Sequence, residues 1–416
     1  MTFAQKQLKR IFARDADPAP GAPDAIVLLF FAALTLFVFW YVWRGAAPEL
    51  TITGDAAAIA AFTAAQDHPD AFTGDALLHD PENFSFYRTL DFVLVQWLAK
   101  FSGDYGRPFL WLSWPCMLLH AAGFYLLGLA VFRVRIWAAI FSFVTLWFGL
   151  IPSLGELWGI YKDPLPRVIF QSLLPFVLAA GYAWRDAPGR WPWVLAAAGL
   201  LTYVHPVSAP AWALGLWCGF VFCLPSAWSL PRKLGWMTFT GGVFLAVSAP
   251  FIITYFTSHS HGATLDYDRV FPILRTVYSR GMIDAPHAIL DFLHTASFKF
   301  GPGTRMAAPS LLVPGAICAI VLLRKLNRDR AISYRIVLGW IAGLLIVSAL
   351  LPFAEQEICR RLKMIPFEIN LTRGLRYLVP MCMLLIVWPL AEVYKRSESA
   401  ARRTKLLRIS LIVSVL

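Results

Sequence analysis

The chain has 416 residues, 58% hydrophobic and only 15% charged, with a net charge of +12 and a mean hydropathy of +0.60. Soluble domains carry roughly 25% charged residues, and no soluble core can bury repeated apolar runs of ~20 residues, so a soluble globular protein is excluded. The basic excess lies in short loops between those runs, where it orients helices; there is no domain-sized basic surface to hold nucleic acid.

The pattern predicts an all-α polytopic transmembrane helical bundle of about 10–11 spans, a single integral membrane domain. Lys6, Lys9, Arg10 and Arg14 precede the first span, 25–43, and are expected to hold the N-terminus in the cytoplasm. That places the next segment, 48–107, on the external face of the cell membrane. It is a long loop with nine acids against three bases. Within it, 89–101 is apolar but carries Asp91, Gln96 and Lys100, which predicts a helix lying on the membrane.

Spans follow over 108–132, 136–151 and 168–184. A polar turn containing Glu156, Lys162, Asp163 and Arg167 separates the last two. The fifth span, 191–204, breaks at His205-Pro206, because a residue before proline is disfavoured in helix. The sixth, 207–224, returns to Arg232 and Lys233, and the seventh covers 234–256. An external loop, 257–305, precedes the eighth and ninth spans, 306–323 and 336–353. A second external loop, 354–376, leads to the tenth span, 377–394. An eleventh apolar run, 406–416, is too short to cross a bilayer. Six scattered cysteines form no C-x-x-C pair, so neither a disulfide framework nor a zinc site is indicated.

Positive-inside alternation accounts for nearly every basic cluster but one. Arg360, Arg361, Lys363, Arg373 and Arg376 fall in the external loop 354–376. Either the span count is off by one or these bases bind an anion; the clean alternation elsewhere favours the anion. Arg373 and Arg376 are three apart, so a helix would aim both at one target. Guanidinium suits phosphate because it stays charged and donates paired hydrogen bonds; snorkelling to lipid headgroups is the plainer reading.

The remaining polar residues unexplained by topology fall on the same face. Asp55 follows Gly54 shortly after the first span. A carboxylate there can take a proton from a hydroxyl, or simply cap the Ala-rich helix that follows. His68, His79 and the later acids of this loop are expected on solvated surface. Glu156, Lys162, Asp163 and Arg167 read as interfacial anchors or as contacts to a lipid phosphate or sugar. His205 reads as an interfacial histidine or a substrate contact. His287, Asp291 and His294 could share one helix face, but their spacing is weak support for a metal site; no cofactor is assigned, and a divalent metal is not indicated.

An acid soon after the first span in a long external loop, the His205-Pro206 break and the segment Leu371-Thr372-Arg373-Gly374-Leu375-Arg376 together resemble the GT-C superfamily of multi-pass glycosyltransferases. Its members use polyprenyl-phosphate-linked sugars. The resemblance implies that Asp55 is the catalytic base and that Arg373 or Arg376 holds the lipid phosphate. Many members carry paired acids in the first loop, whereas Asp55 is followed by alanines. The rival readings are a non-catalytic membrane assembly protein and a secondary transporter or flippase. Transporters place ionisable residues at the middle of broken spans, and here the polar residues gather at span ends.

Overall fold

The computed structural model describes residues 21–43, 54–80, 82–84, 89–150, 164–259, 267–277, 285–298, 312–326, 334–364 and 371–397, with parts of 399–407. Among the described residues there is no strand, and the chain is an all-α helical bundle of a multi-pass membrane protein. Six helical stretches are long and apolar enough to cross a membrane: Ala22–Val42, Arg107–Phe132, Pro166–Ala183, Leu230–Tyr255, Arg335–Leu362 and Leu371–Arg396. Across the spans expected over 136–151, 191–204, 207–224 and 306–323, the described residues form helices Arg135–Leu150, Trp191–Leu200, Ala209–Val221 and Leu312–Leu326. Their regular α portions are shorter, at 16, 10, 13 and 15 residues.

Helix α1 (Ala22–Trp43) is mostly exposed along Leu29, Phe30, Leu36, Phe37 and Trp40. Its first turn is clipped to the bundle by charge. The Arg135 guanidinium donates from Nε to Asp24 Oδ1 at 2.9 Å and from Nη2 to Oδ2 at 3.1 Å. The Tyr125 hydroxyl donates to Asp24 Oδ1 at 2.5 Å. Tyr125 lies on α4 (Arg107–Phe132) and Arg135 opens α5 (Arg135–Leu150). All three side chains are buried, so this fork-on-carboxylate pairing satisfies charges that water cannot reach.

The first loop folds into a small core of its own. Helix α2 (Asp55–Asp67) and helix α3 (Leu90–Ser102) bury Phe62, Phe84, Phe92, Val95 and Phe109 together, with Phe62 and Phe84 stacked 4.9 Å apart. Asp67 ties the two ends of this layer, accepting from Gln96 Nε2 and from the Tyr105 hydroxyl, both at 2.8 Å. Helix α3 turns Leu90, Val93, Trp97 and Phe101 outward on one stripe, as a membrane-lying helix requires. Not all the acids of this loop are solvated, however. Asp91 is buried, because the same helical period that exposes Leu90 and Val93 turns Asp91 inward with Phe92 and Val95.

The centre is made by α6 (Pro166–Ala183), α7 (Trp191–Leu200), α8 (Ala209–Val221), α13 (Arg335–Leu345) and α15 (Leu378–Arg396). Between them in sequence lie α9 (Leu230–His259), α10 (Tyr267–Val277), α11 (Ala285–Phe298), α12 (Leu312–Leu326) and α14 (Leu351–Leu362). Helices α8 and α13 each carry a Gly-x-x-x-Gly pair, Gly215/Gly219 and Gly339/Gly343, and the pairs face each other. A Cβ on Gly339 would lie 2.5 Å from Gly219 Cα, and one on Gly215 would lie 3.0 Å from the Trp340 carbonyl oxygen. Small residues let two helix backbones approach this closely, which gains dispersion contact where lipid offers no hydrophobic drive.

The segment 354–376, expected to be a loop, differs from expectation. The ninth span does not end at 353. It passes through a π turn at Ile346–Leu350 into α14 and ends only where Lys363 adopts a left-handed φ of 52°. Arg360 and Arg361 therefore sit on a helix, paired with Glu357 at 2.9 and 2.7 Å. Lys363 Nζ reaches Asp268 on α10 at 2.8 Å. The loop 257–305 holds α10 and α11, and the Ala285 amide donates to Gln356 Oε1 at 2.7 Å. Residues 408–416 of the eleventh run lie outside the described residues.

The glycine contact makes a stability prediction. Gly219→Val or Gly343→Val should lower the thermal stability of the detergent-solubilised protein by ~1–3 kcal/mol or more, through forced separation of α8 and α13. Gly242→Ala, where an added Cβ meets nothing within 4 Å, should leave the melting temperature unchanged or slightly raised.

Candidate anion-binding cavity

A cavity of about 370 Å³ opens between the first-loop layer and the bundle. Asp55, Thr89, Arg167, His205, Tyr255 and Arg373 contribute to its wall, with Ile59, Phe62, Leu165 and Val207 as the apolar remainder. These residues come from six separate stretches of chain, and each arrives there for a local reason.

Asp55 is the first residue of α2. Gly54 before it has φ 63°, a left-handed conformation that favours glycine, and this turn redirects the chain into the helix. Gly54, not Asp55, is the N-cap, and no side chain caps this helix end. The capping alternative for Asp55 is thus removed: its carboxylate is exposed and borders the cavity. The positive end of the helix dipole favours a negative charge in that first turn.

Arg167 is in the first turn of α6, just after Pro166, which suits the first helical position. A cation there opposes the helix dipole, so the placement is not explained by the helix itself. Arg373 and Arg376 lie in a 3₁₀ segment, Leu371–Tyr377, where side chains three apart eclipse one another. Arg376 Nε donates to the Arg373 carbonyl oxygen at 2.9 Å, which ties the two together. Gly374 between them is pressed against Ser348 of the π turn, leaving no room for a Cβ. That turn widens the α13–α14 helix where the arginine segment leans on it, in keeping with the local distortions π turns introduce.

His205 occupies the turn between α7 and α8. Its ring lies 6.0 Å from Phe170, which in turn lies 5.8 Å from Tyr377. The Tyr377 hydroxyl donates to Ser208 Oγ at 2.7 Å and pins the turn to the arginine segment. Burial, and then the charges of Arg167, Arg376 and Arg373, hold the His205 imidazole well below the ordinary histidine range. Three guanidinium groups thus act on one neutral imidazole. Tyr255 is brought in by the end of α9, aligned by Phe251, which packs on Tyr203 at 5.8 Å, while the Tyr203 hydroxyl donates to the Val247 carbonyl at 3.0 Å.

The arrangement brings together Asp55, Arg167, His205 and Arg373, with Arg376 next to them. Glu156, Lys162 and Asp163 lie outside the described residues. Thr89 and Tyr255 are cavity residues that sequence reasoning missed; neither stands out from the many aromatic and hydroxyl residues at span ends. Among the described residues no three His, Cys, Asp or Glu side chains group as metal ligands. His287 stands on α11 as expected, whereas the side chains of Asp291 and His294 are outside the described residues. Chemically, the cavity wall offers the Asp55 carboxylate together with the Arg167 and Arg373 guanidinium groups. It can bind an anion with the arginines while presenting a base to a neighbouring hydroxyl.

No protein-family model and no curated protein matches the chain. The cavity itself is therefore the ground for a functional reading.

The His205 environment predicts a pH effect. A histidine whose folded-state value is depressed resists protonation, so the fold loses stability as pH falls below about 6.5, the unfolded value. Acidifying from pH 7 to 5 should destabilise the wild type relative to His205→Gln by up to ~2 kcal/mol, measured as the difference between their melting temperatures at each pH. Parallel curves for the two proteins would show that His205 is not held neutral.

Proposed function

We propose that the protein is a membrane glycosyltransferase of the GT-C type, moving a sugar from a polyprenyl-phosphate donor to an acceptor on the external face of the cell membrane. One observation supports the reading above the others: Asp55, past the first span, and Arg373, at the start of the stretch Leu371–Arg396, line the same cavity. A site for this chemistry needs a base and a phosphate clamp within one substrate's reach, and the wall supplies both types of group.

In this reading Asp55 accepts the proton of the acceptor hydroxyl as its oxygen attacks the sugar's anomeric carbon. The bond from that carbon to the phosphate oxygen breaks, and the electron pair leaves with the lipid phosphate. Arg373, Arg376 and Arg167 stabilise the growing negative charge, which is worth most in a partly dehydrated site. His205, held neutral, serves as a hydrogen-bonding partner without adding a further positive charge. The donor's hydrocarbon tail stays among the spans, so the site has to lie at the membrane boundary, where the first-loop layer meets the bundle.

Asp55→Asn should lower sugar transfer by ~10²–10⁴-fold in reconstituted vesicles supplied with polyprenyl-phosphate-linked sugar, while helical content and melting temperature stay those of the wild type. Arg373→Gln should weaken donor binding and slow transfer together, since the charge acts on both the bound phosphate and the leaving one. Wild-type turnover by Asp55→Asn would overturn the reading.

A further inference from the structure

Among the described residues three acids are buried: Asp24, Asp91 and Glu392. Asp24 meets Arg135 and Tyr125, and Glu392 meets Lys395 at 2.8 Å. Asp91 is different. Only 1% of it is exposed, and neither carboxylate oxygen has a hydrogen-bond partner. Buried polar groups in folded proteins are almost always paired, and an ionised carboxylate left unpaired is among the costliest things a fold can contain.

Its position gives the cost a consequence. Asp91 is in the first turn of α3, two residues after Thr89, the N-cap residue that lines the cavity. Helix α3 packs on α2, α4 and α6. The titratable and charged side chains on those helices are Asp55 and Asp67; Arg107, Cys116, His120 and Tyr125; and Arg167 and Tyr182. Among the described residues, none of these gives either Asp91 oxygen a hydrogen bond. Asp67 is already engaged by Gln96 and Tyr105. Burial therefore acts on Asp91 unopposed and pushes its carboxyl up to about 7.

A neutral carboxylic acid can stay between α3, α4 and α6. A carboxylate cannot stay there cheaply, and two residues back along the chain Thr89 already lines a cavity with polar walls. We propose that Asp91 is a proton-sensitive latch: neutral, it lets the first turn of α3 seat against α4 and α6, and ionised, it draws that turn toward the cavity and moves the wall formed by Thr89. The inference concerns the seating of α3 and does not rest on the transferase reading. Proton loss from the acid is the whole chemical step; the proton goes to solvent.

The test uses spin labels on the full-length protein in lipid nanodiscs. Trp97→Cys on α3 and Trp193→Cys on α7 are both exposed sites, and Cys218, Cys223 and Cys318 are replaced by Ser so that only these two sites are labelled. The interlabel distance should differ between pH 5 and pH 9 with Asp91 present. With Asp91→Asn it should hold the pH 5 value at both; Asp91→Ser is the second neutral replacement if Asn is not tolerated. In parallel, the infrared carbonyl band of a protonated carboxylic acid should fade over the same pH range and be missing from the neutral variants. A distance that is the same at both pH values with Asp91 in place overturns the proposal, and so does a shift that persists in the neutral variants.

Discussion

The close approach of α8 and α13 is the constraint on which the site depends. Four glycines remove the side chains that would otherwise hold the two helices apart, and Trp340 fills the space beside them. The turn carrying His205 leads directly into α8. The π turn that supports Gly374 continues directly from α13. One backbone-to-backbone contact therefore fixes the distance between the histidine and the arginine segment. The hydrogen bond from Tyr377 to Ser208 repeats that fixation at the level of the cavity. In a membrane, where apolar side chains gain little by leaving lipid for protein, such steric fit is the available means of holding a geometry.

Charge is distributed unevenly between the two ends of the first span. At its start, Asp24 is locked to Arg135 and Tyr125 in a buried, fully used network, which anchors the helix and leaves nothing for a ligand. Past its end, Asp55 carries no capping bond and faces a cavity whose other ionised walls are arginine. The basic cluster of residues 354–376 is also divided between two places. Arg360, Arg361 and Lys363 lie on exposed surface beside Glu357 and Asp268. Arg373 goes to the cavity. Position in the fold thus divides one basic cluster between a helix surface and a cavity wall.

The acids of the first loop show the limits of composition as a guide. Read as a group they suggest a solvated acidic surface. In the structure Asp75 and Asp104 accept backbone amides in turns, Asp67 ties α2 to Gln96 and Tyr105, and Asp91 is buried without a partner. Helical period could have flagged Asp91, since it falls on the face of Phe92 and Val95, opposite Val93 and Trp97. Which face turns inward, however, depends on the layer that α2 and Phe84 build, and that is a tertiary fact.

The amino-acid sequence by itself determined that this is a helical, multi-pass membrane protein, because long apolar runs have no other way to satisfy their backbones and side chains at once. It also singled out Asp55, Arg167, His205, Arg373 and Arg376, since polar residues at span ends that orientation does not explain are few enough to name. The tertiary structure decided the rest. Gly-x-x-x-Gly pairs occur by chance in apolar helices, so only their face-to-face placement shows that Gly215, Gly219, Gly339 and Gly343 act together. A helix that continues past its apolar stretch, as α14 does, is invisible to hydropathy, because its second half is charged rather than apolar. And residues as far apart in the chain as Asp55 and Arg373 share a cavity only once packing has brought them to it, which no local pattern encodes.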